Sequence, residues 1–364
     1  TNHLDLESTQ WLEDYLKEYS GAIMIISHDR YFLDNVCTDI LEIENTKAYM
    51  YSGSYSSYRN KKQSQIQNKQ KEYELQQKEI KRQQAIIERY RSYNREKSIK
   101  AAESRQKMLD KIEPVDKPFE QESIYVSFRI KKQSGQRVLD VDNLSKQFDE
   151  VLFKNVSFSL FRGERVAIIG PNGVGKSALL KIILGIMPPT EGTIKLGSGI
   201  SIGYYEQEQT SLDPKKTVID EVWGSFKDLT QTQIRNALAA FLFKGDDVFK
   251  TIDTLSGGEK GRVLITKLML AEDNFLVLDE PTNHLDLDSK ERLEDALIDY
   301  PGTILAVSHD RYFLNKIADK ILVLDKDGVK EYLGNYDYYI EKKKALSSSQ
   351  NDEENNAAKS KTAA

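Results

Sequence analysis

The eight residues Gly-Pro-Asn-Gly-Val-Gly-Lys-Ser at 170–177 constrain the fold more than any other part of the chain. They match the pattern G-x-x-x-x-G-K-[ST], and they stand between a short apolar run at 165–169 and an apolar-periodic helix predicted from about Ala178. Glycines let the backbone curl so that successive N–H groups point at phosphate oxygens, and the N-terminus of the next helix adds partial positive charge. The pattern predicts a strand, a phosphate-binding loop and a helix, with these residues around a nucleotide: Gly170, Pro171, Asn172, Gly173, Val174, Gly175, Lys176 and Ser177.

Further residues supply the chemistry that such a loop needs. Lys176 is expected to reach the β- and γ-phosphates, and the hydroxyl of Ser177 can ligate Mg²⁺. An apolar run at 275–278 ends in Asp279 and Glu280. Asp279 can hold Mg²⁺ through water, while Glu280 can polarise a water molecule aligned on the γ-phosphate. ATP and Mg²⁺ are therefore the expected cofactors.

A second glycine-rich turn precedes the helix predicted at 260–270. Backbone N–H groups at such a turn, together with the helix N-terminus, form another anion site. Its residues are Ser256, Gly257, Gly258 and Glu259.

Alternating and apolar runs indicate strands before and after the phosphate loop. They lie at 124–130, 138–141, 156–160, 304–307 and 321–324, and helical patterns separate the later ones. This alternation predicts an α/β fold with a buried parallel sheet.

The start of the chain repeats near its end. Residues 1–6 recur at 282–287, residues 27–33 recur at 308–314, and both pairs share one spacing of 281 residues. A single gapless register over almost sixty residues indicates a true internal repeat. Residues 1–58 are therefore predicted to be the C-terminal remnant of a first module, and the natural protein is predicted to be longer at its N-terminus. On this interpretation His3, Asp5 and His28 are remnants that have lost their site.

The segment between the two copies has a different composition. Residues 59–113 carry 16 Lys and Arg against 8 Asp and Glu, a net charge of +8 on a chain whose total is −5. Apolar residues recur every seven positions at Ile66, Tyr73, Ile80 and Ile87, which predicts one arm of a helical hairpin with its tip near 92–94. Interleaved Arg and Tyr at the tip favour RNA binding, although a spacer between two modules would have a similar composition.

Bulk properties narrow the setting. Cys37 is the single cysteine, which excludes an internal disulfide and fits a reducing compartment. No apolar run approaches the length of a membrane span, so a cytoplasmic location is predicted. Residues 347–364 contain no large apolar residue and are predicted to be disordered.

The turn at 256–259, taken with the phosphate loop, resembles the signature loop of the ATP-binding cassette superfamily. This resemblance covers nearly the whole chain apart from the tail. It implies a P-loop ATP-binding cassette, and it implies three further site residues. Gln207 resembles the Q-loop glutamine, which also contacts the metal; His309 resembles the switch histidine at the γ-phosphate; and Phe148 resembles the aromatic residue that stacks on adenine.

Within that superfamily the sequence Asp-Glu-Pro-Thr-Asn-His-Leu-Asp at 279–286 and the basic linker resemble the ABC-F proteins. The resemblance implies an ATPase that acts on the ribosome, through rRNA or tRNA contacts of the linker, as a translation or antibiotic-resistance factor. It also implies that each ATP lies between two cassettes, so the partner would be the missing first cassette or a second copy of the chain. The predicted domains are the remnant at 1–58, the linker at 59–122 and a complete cassette at 123–346. The alternatives are the ATPase subunit of an ABC transporter and a DNA-repair or chromosome ATPase.

Overall fold

The structure, a computed structural model, describes residues 4–44, 46–93, 95–111, 127–207 and 211–345. The helices are α1 (Leu6–Glu18), α2 (Arg30–Val36), α3 (Tyr55–Ser92), α4 (Glu96–Leu109), α5 (Lys176–Ile183), α6 (Val218–Ser225), α7 (Gln231–Ala240), α8 (Gly257–Ala271), α9 (Leu287–Ile298) and α10 (Arg311–Ile317). The strands are β1 (Asp39–Glu44), β2 (Lys47–Ser52), β3 (Arg137–Gln147), β4 (Val151–Phe161), β5 (Arg165–Ile169), β6 (Glu191–Leu196), β7 (Ile202–Tyr205), β8 (Phe275–Asp279), β9 (Thr303–Val307), β10 (Lys320–Asp325) and β11 (Gly328–Tyr332). Two short 3₁₀ helices lie at Gly245–Phe249 and Ile252–Thr254. The chain divides into two compact units, one of Thr1–Phe32 with Ile124–Ala364 and one of Leu33–Ser123.

A six-stranded sheet forms the centre of the larger unit. Its order is β11-β10-β5-β9-β8-β7, and every neighbouring pair is parallel except β10 with β11. Every residue of β8 and β9 is buried, as expected for strands covered on both faces. This confirms the predicted buried parallel sheet and the α/β fold.

The register of this sheet brings the predicted chemistry to one edge. Val307, at the end of β9, lies opposite Ile168 of β5 on one side and Asp279 of β8 on the other. The phosphate loop follows β5, Glu280 follows β8 and His309 follows β9. Because carboxyl ends of parallel strands share an edge, three segments that are distant in sequence converge there.

Three of the strand predictions need correction. The strands predicted at 138–141 and 156–160 belong to β3 and β4, which pair with β6 in a separate antiparallel sheet rather than in the parallel one. Of the strand predicted at 124–130, residues 127–130 are not in a strand, although Phe128 is buried against Tyr300. Its apolar residues reflect burial against a ring rather than sheet pairing. Residues 124–126 lie outside the described residues.

The smaller unit contains the hairpin of β1 and β2, followed by the long helix α3 and the shorter α4. Ile87 and Ala102 are buried between the two helices, and the Arg105 guanidinium donates to Gln83 Oε1 at 3.0 Å. The helical hairpin was therefore predicted correctly, but Ile66 of its predicted apolar stripe is exposed. Of the tip predicted at 92–94, Asn94 lies outside the described residues, as do Ile112 and the tail.

The two helices within residues 4–36 form as the repeat predicts, but residues 22–26, the repeat equivalents of β9, are not in a strand. Helices α1 and α2 lie 281 residues before α9 and α10, and Asp5 caps α1 as Asp286 caps α9. The two copies are joined by two buried ion pairs, Arg30 with Glu294 and Arg311 with Glu13, the second at 3.0 Å. Arg311 is the repeat equivalent of Arg30, and Glu294 is the equivalent of Glu13. We call these four residues the reciprocal clamp.

Candidate functional site

The phosphate loop owes its shape to its glycines. Gly175 caps α5 with a φ of +99°, and Gly170 has a φ of +159°. A Cβ at Gly170 would lie 2.4 Å from the Leu324 carbonyl oxygen of β10, so no larger residue fits there without moving the strand. Helix α5 starts at Lys176, two residues earlier than the sequence predicted. The glycine-rich loop therefore leads directly into the N-terminus of this helix.

Lys176 is buried beside this loop. Its ammonium donates to the carbonyl oxygens of Gly170 and Pro171, each at 2.9 Å. Burial lowers the pKa of Lys176, while the carboxylates of Glu280 and Asp5 act in the opposite direction. The lysine is thus held at the loop by backbone carbonyls, where an incoming phosphate can replace them as its partner.

Two of the three predicted metal-binding side chains are in contact. Ser177 Oγ donates to Asp279 Oδ1 at 3.2 Å, which connects the first turn of α5 with the end of β8. Burial raises the pKa of Asp279, and the hydrogen bond from Ser177 opposes that shift. A hydroxyl and a carboxylate this close are the oxygen donors that Mg²⁺ uses together with phosphate oxygens, so these residues fit a magnesium ion.

Glu280 and His309 form the other half of the site. The backbone N–H of His309 donates to Glu280 Oε2 at 3.2 Å. The ring Nε2 of His309 lies 3.5 Å from Glu280 Oε1. Glu280 has a φ of +50°, unusual for a residue with a side chain, and its N–H donates to the Val307 carbonyl, which fixes it at the sheet edge. Within the described part of the chain, Glu280 Oε1 and His309 Nδ1 are buried without a hydrogen-bond partner. Such buried atoms are typical of a site that completes its contacts with a ligand.

These groups line one cleft of about 390 Å³. Its walls are Asn172, Gly173, Gly175, Lys176, Ser177, Ala178, Gln207, Glu280, Asn283, Val307 and His309. The cleft thus brings together the phosphate loop, Gln207 at the end of β7, and the pair that follows β8 and β9. Asn283 was not predicted as a site residue, although it belongs to the repeated stretch at 282–287.

The predicted second anion site lies elsewhere. Ser256 caps α8, its N–H donates to Glu259 Oε2 at 2.9 Å, and Glu259 N–H donates back to Ser256 Oγ at 3.3 Å. Helix α8 therefore begins at Gly257, earlier than predicted. Ser256 and Gly257 are exposed and do not line the cleft.

Phe148 also lies outside the cleft lining. Its ring is 57% exposed, and the Lys146 ammonium lies 4.8 Å from the ring centroid. The ring is therefore not a core residue, and it is accessible to a planar partner.

Asp5 is the site residue that sequence reasoning placed wrongly. It was interpreted as a remnant that had lost its site, but its Oδ2 accepts a hydrogen bond from Asn172 N–H of the phosphate loop at 3.3 Å. Hydrogen bonds from Ser8 and Asn172 lower the pKa of Asp5, so it brings a negative charge to the cleft. Thr1-Asn2-His3 lie outside the described residues.

The sequence of this region matches known families. A family model described as ABC transporter matches residues 153–283, which contain the phosphate loop, the turn at 256–259 and the Asp279-Glu280 pair. The chain carries an ABC transporter ATP-binding domain. A second ABC transporter model matches residues 41–128.

Comparisons with individual proteins extend the similarity beyond residues 153–283. The chain is 50% identical over 346 residues to the ATP-binding protein YdiF of Bacillus subtilis (strain 168), covering 94% of this chain and 54% of YdiF. It is 39% identical to ABC transporter F family member 5 of Arabidopsis thaliana, covering 94% of this chain and 50% of that protein. It is 38% identical to the energy-dependent translational throttle protein EttA of Mycobacterium tuberculosis (strain CDC 1551 / Oshkosh), covering 94% and 63%. The chain thus spans about half to two-thirds of these relatives.

A solved dimeric ATP-binding cassette bound to ADP and phosphate in a post-hydrolysis state is 23% identical, with a TM-score of 0.47, and covers 54% of this chain and 98% of that one. Among the helices that the structure describes, none is both long and apolar enough to cross a membrane.

Proposed function

We propose that this chain is part of an ABC-F protein that hydrolyses ATP to ADP and phosphate and acts on the ribosome. The observation that carries the proposal is the convergence of Lys176, the Ser177–Asp279 pair and the Glu280–His309 pair on one cleft. The relatives named as an F family member and as a translational throttle support the finer assignment.

Each side chain has a distinct role in this proposal. Lys176 exchanges its carbonyl partners for phosphate oxygens, while Ser177 and Asp279 hold Mg²⁺, which supplies positive charge to the reacting phosphate when it is bound. Glu280 Oε1 accepts the proton that water loses as its oxygen attacks the γ-phosphate. His309 and Gln207 orient the γ-phosphate and the attacking water, and Phe148 stacks on adenine.

A direct test measures ATP binding by the chain. Lys176→Ala is expected to weaken binding of ATP with Mg²⁺ by at least about tenfold, because a charge-assisted contact to phosphate is worth roughly 1.5–3 kcal/mol. Lys195→Ala, which removes an exposed lysine of β6, is the matched control and should bind as the parent does. Equal affinity of the Lys176→Ala variant and the control would remove the loop from the proposal.

We further propose that a second cassette completes the site, either a first cassette of the same chain or a second copy in trans. The exposed turn at 256–257 is available to another phosphate loop. Ile23, Met24 and Ile26 are exposed, whereas their repeat equivalents lie in the fully buried β9. An exposed row of this kind is explained if the sheet of another cassette covers it. The greater length of the relatives supports the in-cis arrangement.

The smaller unit is the proposed contact with ribosomal or transfer RNA. Its helices α3 and α4 carry most of the excess positive charge of the segment 59–113, and near the turn Arg91, Tyr93 and Arg95 are exposed. Cosedimentation with ribosomes in the presence of ATP tests this contact. A resistance role is tested separately, by the inhibitory concentration of a ribosome-targeting antibiotic in cells that express the protein. A higher concentration would support resistance, because a translation factor alone would not raise it.

The alternative function is that of an ATPase subunit of a transporter, which the description of the matched family favours. Copurification separates the two functions. Recovery with a membrane complex, and with no ribosomes, would support the transporter.

A further inference from the structure

The reciprocal clamp joins the two copies of the repeat through equivalent contacts made in both directions. Each arginine pairs with the glutamate of the other copy, and each also stacks on the tyrosine of the other copy. Arg30 lies 4.3 Å from the Tyr312 ring centroid, and Arg311 lies 4.8 Å from the Tyr31 ring centroid. Tyr312 is the repeat equivalent of Tyr31, so both halves use the same residues.

One buried contact breaks this symmetry. The Lys290 ammonium donates to Asp310 Oδ2 at 3.0 Å and to the His28 carbonyl oxygen at 3.2 Å. The repeat equivalent of Lys290 is Thr9, which has no charge to offer Asp29, the equivalent of Asp310. Thr9 and Lys290 are both buried. A buried lysine is therefore present at this position in the second copy of the repeat and absent from the first.

The electrostatics of the two aspartates follow this difference. Burial favours the neutral form of both side chains. At Asp310 the charges of Lys290 and Arg30 outweigh burial, and the pKa lies below its usual value. At Asp29 burial prevails and the pKa is raised.

Lys290 stands between two loops that each contain a histidine. Asp310 follows His309, and its Oδ1 accepts from Tyr312 N–H at 3.0 Å and caps α10. His309 N–H in turn contacts Glu280. A displacement of the His28 loop would pull on Lys290, then on Asp310 and on the backbone that presents His309 to the cleft.

We propose that Lys290 is a positioning residue that couples the His28 loop to His309. Nucleotide binding in the cleft then changes the stability of the segment 4–32, and that segment changes the affinity for nucleotide. The proposal rests on the proposed function only in assuming that the cleft binds a nucleotide. Because coupling between two sites is reciprocal, nucleotide binding must tighten the His28 loop by the same factor by which that loop tightens binding.

Hydrogen exchange of the 364-residue chain measures this coupling without turnover. The probe is adenylyl imidodiphosphate, a hydrolysis-resistant ATP analogue, with Mg²⁺. In the parent, the analogue should slow exchange of the amides at 28–36 by at least about fivefold, the lower end of typical allosteric couplings. In Lys290→Met, which keeps the apolar stem, the slowing should fall below about twofold. Lys290→Arg retains the charge and should restore it.

A purely structural lysine would give another result. The matched control is Lys320→Met, because Lys320 is also buried and pairs with Glu164 at 3.2 Å, but its ammonium makes no hydrogen bond or ion pair with the segment 4–32 within the described residues. Loss of the effect in both variants would mean general loosening and would overturn the proposal, as would full retention in Lys290→Met or no slowing in the parent. Titration of the analogue is measured alongside. Failure to bind it at all would refute the proposed function instead.

Discussion

Burial sets the protonation of the two residues that face each other at the cleft. It raises the pKa of Glu280 to about 8 and lowers the pKa of His309 to about 4. Near pH 7 both side chains are therefore mostly neutral, and the 3.5 Å approach of His309 Nε2 to Glu280 Oε1 is not an ion pair. A general base needs its ionised form, and the positive charge of a bound Mg²⁺ would favour that form of Glu280 by lowering its pKa.

These shifts predict how stability depends on pH. Between pH 6.5 and about 8 the folded protein keeps the Glu280 proton while the unfolded chain, with an ordinary pKa near 4.5, has lost it, so stability falls as pH rises. His309 acts in the opposite direction, but only between about 4 and 6.5. Glu280→Gln should therefore lose less stability than the parent between pH 6.5 and 8, as measured by urea unfolding at both values. Identical losses would contradict the raised pKa.

Glu280→Gln also tests the catalytic role. The amide keeps the shape of the side chain but cannot take a proton, so ATP binding should persist while hydrolysis slows by at least about 10²-fold. Under the proposed two-cassette arrangement, hydrolysis is measured with both cassettes present and the other ATP site disabled. Asp288→Asn on the exposed start of α9 is a control for loss of a nearby carboxylate and should hydrolyse ATP at the parent rate. Near-parent hydrolysis by the Glu280 variant would exclude it as the base.

At the scale of helices and strands, the elements that were predicted correctly are those that a local sequence pattern determines. The apolar runs at 165–169 and 275–279 became β5 and β8, because continuous burial in a parallel sheet leaves an unmistakable sequence pattern. Alternation in β3 and β4 showed that they are strands but not which strands they pair with, since alternation reports a half-buried face and not a neighbour. Helix starts were predicted late at Lys176 and Gly257, because glycine and polar first turns hide the beginning of a helix.

The clamp gives a prediction about these elements. Arg311 and Glu13 are almost fully buried, so Arg311→Met leaves Glu13 charged without its partner and should cost about 3–5 kcal/mol. Replacing both residues, Arg311→Met with Glu13→Leu, should recover most of that loss because no buried charge is left alone. Urea denaturation followed by tryptophan fluorescence is the measurement, and Trp11 on α1 reports on the segment. A double variant as unstable as the single one would show that the ion pair itself is needed.

At the scale of the whole molecule, the segregation of charge predicts salt-dependent RNA binding. Each Lys or Arg that contacts phosphate releases counterions, so replacing Arg89, Arg91 and Arg95 by Gln should reduce the slope of log affinity against log salt by about 2–3. Arg89 Nε also donates to Tyr93 Oη at 3.1 Å, so this variant frees that ring as well. Cosedimentation with ribosomes at several salt concentrations is the measurement.

The control for that experiment replaces three exposed lysines of the larger unit, Lys195, Lys326 and Lys330, by Gln. It removes the same charge and should leave the slope unchanged. Equal slopes for the arm variant and its parent would favour the spacer interpretation of residues 59–113.

The site itself was only partly predictable at this scale. The loop, Asp279 and Glu280 carry their chemistry in local sequence, and His309 was predicted from the family resemblance. Asp5 could not be placed from sequence, because its contact with Asn172 joins residues 167 positions apart and depends on how the segment 4–32 packs. The exposure of Phe148 could not be predicted either, because nothing in its local sequence pattern distinguishes an exposed ring from a core ring.

The reciprocal clamp has an evolutionary consequence. A duplicated gene normally lets its two halves drift apart, but here each arginine depends on a glutamate encoded in the other half. A change at Glu13 can be compensated at Arg311, about three hundred codons away, and not at its near neighbour Arg30. Substitutions across descendants should therefore covary between positions 13 and 311, and separately between 30 and 294, so that the two halves of the gene are inherited as a matched set.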